Sequence, residues 1–159
     1  MELRFREFRK EDMDALYFLD QRCHPPEARS TFSGLLDNLL DRDAAALVAE
    51  EMAEEYQRVV GALIVRGDPW NSLLYIVSLM VNEEFRRLGI ARRLLAWAEQ
   101  LAVGFECKAL LAPLAEGNEA GEAFLGANGF AVVEGELPPD FAGEGRRLWR
   151  REVAHEPTG

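Results

Sequence analysis

The chain has 159 residues, 48% of them apolar, which suits one domain with a real core rather than two. No apolar run approaches the ~18 residues of a membrane span, and Met1-Glu2-Leu3-Arg4-Phe5-Arg6 lacks the apolar core of a secretory signal, so no membrane association and a cytoplasmic location are expected. The formal net charge of −10 argues against nucleic acid as a partner, and two cysteines, Cys23 and Cys107, make neither a disulfide framework nor a metal cluster.

Leu3, Phe5 and Phe8 predict a first strand. Glu11-Asp12 starts a helix with Asp12 as its cap; Met13, Leu16, Tyr17, Leu19 and Cys23 form its apolar stripe, and Pro25-Pro26 stops it. A second helix begins at Ser30-Thr31-Phe32-Ser33, with Phe32, Leu35, Leu36, Leu39 and Leu40 on its inner side. Residues 45–53 and 58–65 read as an antiparallel hairpin around Glu54-Glu55-Tyr56-Gln57. Leu73–Val81 is apolar at nearly every position, which predicts a central strand buried on both faces. After a turn rich in arginine, Ile90, Leu94, Leu95, Ala98 and Leu101 repeat at helical spacing. Residues 109–114 read as another buried strand, and 118–128 as a helix ended by Gly129. Segments 130–136 and 148–153 form a closing strand pair around Pro138-Pro139-Asp140, and residues 155–159 a loose tail, leaving 1–154 as a single domain. The order is β-α-α-β-β-β-α-β-α-β-β, an α/β domain with a mixed sheet.

Arg86, Arg87, Arg92 and Arg93 fall within eight residues of an otherwise acidic chain. That concentration marks either a local anion site or a solvated helix end. A strand, a short turn and a helix with glycine at its mouth present unpaired backbone N–H groups to an anion. Gly89 lets a phosphate approach without a Cβ in the way, and Ala91 is small as well. No Gly-Lys-Ser/Thr follows, which excludes a P-loop. No Gly-x-Gly-x-x-Gly follows a first strand, which argues against a dinucleotide fold.

Arg86-x-x-Gly89-x-Ala91, preceded by Val81-Asn82-Glu83-Glu84-Phe85, resembles the acyl-CoA signature of the GNAT family of N-acetyltransferases. The block at 118–130, ending in Gly129-Phe130, resembles that family's later motif, and the element order matches across nearly the whole chain. Leu19-Asp20-Gln21-Arg22-Cys23-His24-Pro25, followed by Thr31-Phe32-Ser33, is similar to the N-terminal-amine acetyltransferases that modify ribosomal proteins. The resemblance implies a GNAT-type mixed central sheet with splayed fourth and fifth strands and acetyl-CoA as co-substrate, without a metal. It implies pantetheine pairing near Leu79, Met80 and Val81. It implies pyrophosphate contacts across Arg86, Arg87, Leu88, Gly89, Ile90, Ala91 and Arg92. Asn118, Gly121 and Leu125 would share a helix stripe facing the cofactor, with Ala120, Phe124 and Ala127 on the core side; an ordinary helix cap is the alternative for Asn118. The implied reaction moves acetyl to a primary amine, on a small molecule or a protein N-terminus.

The chain departs from the family at two positions. Leu125 stands where many members carry a tyrosine that protonates the departing thiolate. Pro113 stands nearest to where the N-terminal-amine enzymes place a glutamate base, and Leu111, Ala112 and Leu114 are no better. A positioned acid or base is worth about 10²–10⁴-fold. An α-amine is roughly one-tenth neutral at pH 7, a lysine amine only about one part in 10³–10⁴, so the missing groups favour a weakly basic acceptor or substitutes from elsewhere. Tyr75 and His24 lead the substitutes, ahead of Ser78, Glu84 and Glu116, and each has a structural alternative. The acidic run Glu50, Glu51, Glu54 and Glu55 either attracts a cationic acceptor or forms a solvated hairpin edge. Trp70 and Trp97 read as packing residues and Cys107 as a core thiol. Two other readings stay open: an acyl-CoA-binding module without catalysis, and a phosphate-ligand domain without acyl transfer. The sequence leaves the amine acceptor and the oligomeric state undecided, a homodimer included.

Overall fold

Alternating charged and apolar side chains over Glu2–Glu7 form an edge strand, β1, which pairs antiparallel with β2, Ala44–Met52. The computed structural model describes residues 2–134 and 145–154; the expected loop at Pro138-Pro139-Asp140 and the expected tail 155–159 lie outside them. The remaining elements are α1 Met13–Cys23, α2 Phe32–Leu40, β3 Gln57–Asp68, β4 Leu73–Val81, α3 Ile90–Gly104, β5 Ala109–Ala115, α4 Glu119–Ala127, β6 Ala131–Val133 and β7 Arg146–Glu152. The strands run in the order β1-β2-β3-β4-β5-β7-β6 in one mixed sheet. The chain forms two compact units, residues 1–66 with 78–98, and residues 67–77 with 99–159.

In the first unit, β2 and β3 form the expected hairpin, with a bulge between Ala49 and Glu50. Leu16 of α1, Leu35 of α2, Val48, Val60 and Leu63 of the hairpin, and Ile90, Leu94 and Leu95 of α3 are fully buried. Gly61 makes one close approach possible: a Cβ there would lie 3.1 Å from the Ile90 side chain and 3.2 Å from the Met80 carbonyl oxygen. The glycine thus seats the start of α3 against the strands. Thr31 caps α2 by accepting from Gly34 N–H at 3.0 Å.

Several sequence expectations change here. In α2 only Leu35 is buried; Phe32 and Leu40 are exposed, and Phe32 packs edge-on against Tyr17 at 5.5 Å. Asp12 does not cap α1. Its carboxylate reaches back to Arg9 N–H at 2.8 Å and takes both terminal nitrogens of Arg6 at 2.8 Å. Arg6 also donates to Glu50 at 2.9 Å, and Arg4 donates to the other Glu50 oxygen at 2.5 Å. Glu51 accepts from the Tyr56 hydroxyl at 2.7 Å and pairs with Arg58 at 3.6 Å. Glu50 and Glu51 are therefore buried, ion-paired groups, not a solvated edge or an exposed acceptor lure. As strand neighbours their side chains leave on opposite faces, and each meets its own arginines: Arg4 and Arg6 of β1 at Glu50, Arg58 of β3 at Glu51.

In the second unit, β4 runs parallel to β5 with Leu73, Leu74 and Tyr75 opposite Ala109, Leu110 and Leu111. β5 pairs antiparallel with β7 along its whole length, and β6 adds to the far side of β7. Arg151 of β7 forms an ion pair with Glu99 of α3. The α3 stripe continues through Ala102, which is buried, rather than Leu101. On α4 the expected core stripe holds only at Phe124, which is half-buried. Leu125 is buried, Ala120 and Ala127 are exposed, and a Cβ on Gly121 would lie 2.9 Å from the Leu114 side chain. The Gly121 face packs on β5 because only a residue without a side chain lets the helix come so near. Trp70, expected to pack, is 95% exposed.

The Arg6 cluster yields two expectations. Arg6→Met leaves the buried Asp12 without its partner and Glu50 with Arg4 alone, so the protein loses about 3–5 kcal/mol of stability by denaturant titration. Hydrogen bonds from Arg6 and Arg4 hold the Glu50 carboxyl below its ordinary range. For Asp12, burial pushes upward, but the Arg6 and Arg9 contacts together outweigh it and the net shift is also down. Groups depressed in the folded state stabilise fully above their unfolded values, about 4, and lose that contribution as pH falls through the folded values. The melting temperature of the wild type therefore drops as pH falls below about 5, and this slope is shallower in Arg6→Met.

Candidate functional site

The turn from β4 into α3 is built to stay open. Asn82 N–H donates to the Val60 carbonyl at 2.7 Å, and the Asn82 side chain accepts from Glu84 N–H at 3.0 Å. Phe85 is buried, with the Arg58 guanidinium 5.0 Å above its ring. Beyond this anchor the chain turns twice through left-handed backbone, at Arg87 (φ 68°) and Gly89 (φ 78°). A non-glycine residue held there stores about 1–3 kcal/mol of strain, a feature that clusters at functional sites. The first intrahelical bond of α3 runs from Arg93 N–H to the Gly89 carbonyl at 3.1 Å. Gly89, Ile90, Ala91 and Arg92 thus carry the N–H groups that helix geometry leaves over. A Cβ at Gly89 would meet nothing within 4 Å.

All four arginines, Arg86, Arg87, Arg92 and Arg93, are exposed at or just after this turn. The guanidinium of Arg93 sits 3.9 Å over the Phe5 ring. This arrangement fits a pyrophosphate: surplus N–H groups and the positive end of a helix dipole face open space at Gly89, with exposed arginines close by in the chain.

Before the turn, Leu79 is half-buried and Met80 is buried in the core. The Val81 carbonyl accepts from the Cys23 thiol at 3.4 Å. A carbonyl oxygen has two lone pairs, so one remains for a further donor. Burial pushes the Cys23 thiol up, against the pull of Arg86 beside it, so this cysteine is a poor nucleophile at neutral pH.

His24 follows directly on α1. Its Nε2 lies 3.1 Å from the Ser78 hydroxyl on β4 and 3.9 Å from Oδ2 of the buried Asp20. Two of the sequence candidates, His24 and Ser78, therefore meet, although 54 residues separate them. Asp20 was missed from the sequence, although its spacing of four residues from His24 on a helix was a usable signal. A cavity of about 410 Å³ nearby in the chain's first unit, lined by Glu11, Asp12, Phe18, Glu50, Arg58 and Asn82, contains none of the residues chosen for cofactor binding or catalysis.

In the second unit, Tyr75 is 7% exposed and packs with Leu111, Leu73 and Leu148. Asn118 is the N-cap of α4, accepting from Gly121 N–H at 2.9 Å. Leu125 is 6% exposed. Pro113 lies on β5 opposite Leu148. Glu116 pairs with Arg147 at 3.0 Å, and in the first unit Glu84 lies 3.8 Å from Arg58. Burial pushes the Cys107 thiol up, as expected of a core cysteine. Among the described residues no group of three or more His, Cys, Asp or Glu could hold a metal ion, and no helix is long and apolar enough to cross a membrane.

Solved structures with this fold are numerous. The ribosomal-protein-S18-alanine N-acetyltransferase from Escherichia coli is 14% identical, covering 99% of this chain and 98% of that one, with a TM-score of 0.80. Ard1 from Thermoplasma volcanium is 18% identical over 98% of this chain and 100% of that one, with a TM-score of 0.79. The PaiA N-acetyltransferase from Thermoplasma acidophilum, solved in complex with coenzyme A, is 16% identical over 96% and 99% of the two chains, with a TM-score of 0.77. At these identities the likeness shows the fold. No curated protein sequence matches. Residues 5–130 match the acetyltransferase (GNAT) family. With that match running from β1 through the open turn to the end of α4, the chain belongs to the GNAT family and is an acetyl-CoA-dependent N-acetyltransferase.

Proposed function

We propose that this enzyme acetylates an α-amine, on a peptide N-terminus or a small molecule, with His24 and Ser78 taking the proton that the usual glutamate and tyrosine would handle. The observation that carries this reading is the 3.1 Å contact between His24 Nε2 and Ser78 Oγ. With its own proton on the other ring nitrogen, a neutral imidazole accepts from the serine hydroxyl and so draws a proton through it. An α-amine needs less help than a lysine amine, because far more of it is neutral at pH 7. Among the fold relatives, the Escherichia coli protein is named for an alanine of ribosomal protein S18, which agrees with a peptide α-amine.

Acetyl-CoA, when bound, supplies an activated thioester. The chain's own part is to hold the pyrophosphate on Gly89, Ile90, Ala91 and Arg92 N–H groups, with Arg86, Arg87 and Arg92 as counter-charges. Leu88 flanks that turn, and Leu79, Met80 and Val81 offer strand backbone to the pantetheine. Asn118 and Leu125 are proposed contacts from α4, Asn118 in addition to its capping role. Tyr75 is the less favoured proton-transfer candidate, because its ring is buried among Leu73, Leu111 and Leu148. Since residues 5–130 of the family match run through both compact units, we take residues 1–154 as one catalytic domain, working in the cytoplasm where acetyl-CoA is held.

Gly89→Glu forces a side chain onto left-handed backbone and sets a carboxylate at the anion site. Its Kd for CoA, by calorimetry, rises at least about tenfold; an unchanged Kd overturns the pyrophosphate assignment. Turnover is checked by thiol release from acetyl-CoA against peptides with free and blocked N-termini, with lysine as the competing amine. The free α-amine is the better acceptor. His24→Gln lowers kcat by about 10²-fold or more while CoA affinity stays unchanged. Equal rates on lysine amines, or wild-type kcat in His24→Gln, would defeat the respective half of the proposal. Tight CoA binding with no thiol release on any acceptor would instead favour a binding module.

A further inference from the structure

We infer that Asp20 is a positioning residue for this proton transfer: one buried carboxylate both clamps the loop after α1 and faces the His24 ring. The inference rests on the reading of His24 as proton acceptor. Asp20 lies one helical turn before His24, and its side chain is 2% exposed. Its Oδ1 accepts from Ser30 N–H at 2.8 Å and from Gln21 Nε2 at 3.2 Å. Gln21 Nε2 also donates to the Ser30 carbonyl at 2.9 Å. The far end of the loop is thus held through both backbone groups of Ser30. The near end is held by His24 N–H on the Asp20 carbonyl at 3.2 Å and by Arg29 Nε on the His24 carbonyl at 3.0 Å.

Oδ2 of Asp20 has a different outlook. It lies 3.9 Å from His24 Nε2, too long for a hydrogen bond yet close enough for charge attraction once the ring is protonated. Among the described residues no lysine or arginine pairs with Asp20, so its buried charge is compensated by neutral donors at Oδ1 and by the imidazole at Oδ2. Asp20 approaches the ring from α1, Arg29 binds the His24 carbonyl from the loop, and next to His24 the Cys23 thiol is turned to the Val81 carbonyl with Arg86 beside it. Ser78 faces it from β4.

In the transfer, the amine nitrogen bonds to the acetyl carbon and gives a proton to Ser78 Oγ, while the Ser78 proton moves to His24 Nε2. The carbon–sulfur bond breaks, and the proton held on His24 returns through water to the departing sulfur, restoring the neutral ring. Asp20 favours the interval in which the ring is charged, as a buried aspartate does for an imidazolium in other hydrolytic and transfer sites. The same residue also holds the segment that carries the ring at both ends, its carboxylate on Ser30 N–H and its main-chain carbonyl on His24 N–H.

Asp20→Asn is the deciding variant, since its amide oxygen still accepts from Ser30 N–H and only the charge is lost. The chain has two histidines, His24 and His155, so His24→Gln assigns the His24 signals in the proton NMR spectrum. In Asp20→Asn the His24 signals titrate at lower pH than in the wild type; this needs no cofactor. In steady-state assays kcat falls at least about tenfold, with KM for the amine little changed. In a His24→Gln background the same substitution costs nothing further. An unmoved His24 titration, or an equal loss in both backgrounds, overturns the role of Asp20. Wild-type kcat in His24→Gln would overturn the underlying reading of His24 instead, so the two failures are distinguishable.

Discussion

A helix must begin with N–H groups that its own hydrogen bonds cannot use, and much of the first unit is arranged around where α3 leaves them. In most helices a side chain folds back over those groups. Here the approach runs through left-handed backbone at Arg87 and Gly89, and the space over Gly89 is open. The strain of that path is tolerated because its flanks are fixed. Asn82 is tied to Val60, Phe85 is buried under Arg58, and Gly61 lets Ile90 sit close on the strands. The core of the first unit thus positions an open helix start without a side chain covering Gly89.

The same economy explains why charge here has two jobs. A chain with a net charge of −10 carries its arginines where they matter locally. Arg86, Arg87 and Arg92 surround the open turn, while Arg4, Arg6 and Arg58 neutralise carboxylates turned into the interior. Arg93, adjacent to the first group in the chain, instead covers the Phe5 ring. Linear proximity grouped four arginines as one cluster; the 100° step between helical residues separated them.

The positions that many relatives use for proton transfer hold Leu125 and Pro113, and neither can ionise. The structure brings together a different set from the loop end of α1 and the middle of β4. His24 and Ser78 meet because the strand and the helix that carry them pack in the same unit, and Asp20 joins because it lies one turn back on that helix. Family membership settles the type of reaction. The details of proton movement are particular to this chain.

The sequence by itself determined the order and type of the elements, the family and the glycine turn before α3. Those features are local: strand alternation, helix periodicity, a glycine after arginines, each readable within a dozen residues. Only the tertiary structure decided which charges are buried and which face of a helix is inward. Asp12 looked like a helix cap, yet Arg6 and Arg9 claim it; Glu50 looked solvated, yet it lies beneath two arginines of β1. Ala120, expected in the core, is exposed and Leu125 is buried, with Gly121 letting α4 onto Leu114. His24, Ser78 and Asp20 could be named or missed one at a time, but their meeting depends on packing between segments about fifty residues apart, and no local pattern encodes that distance.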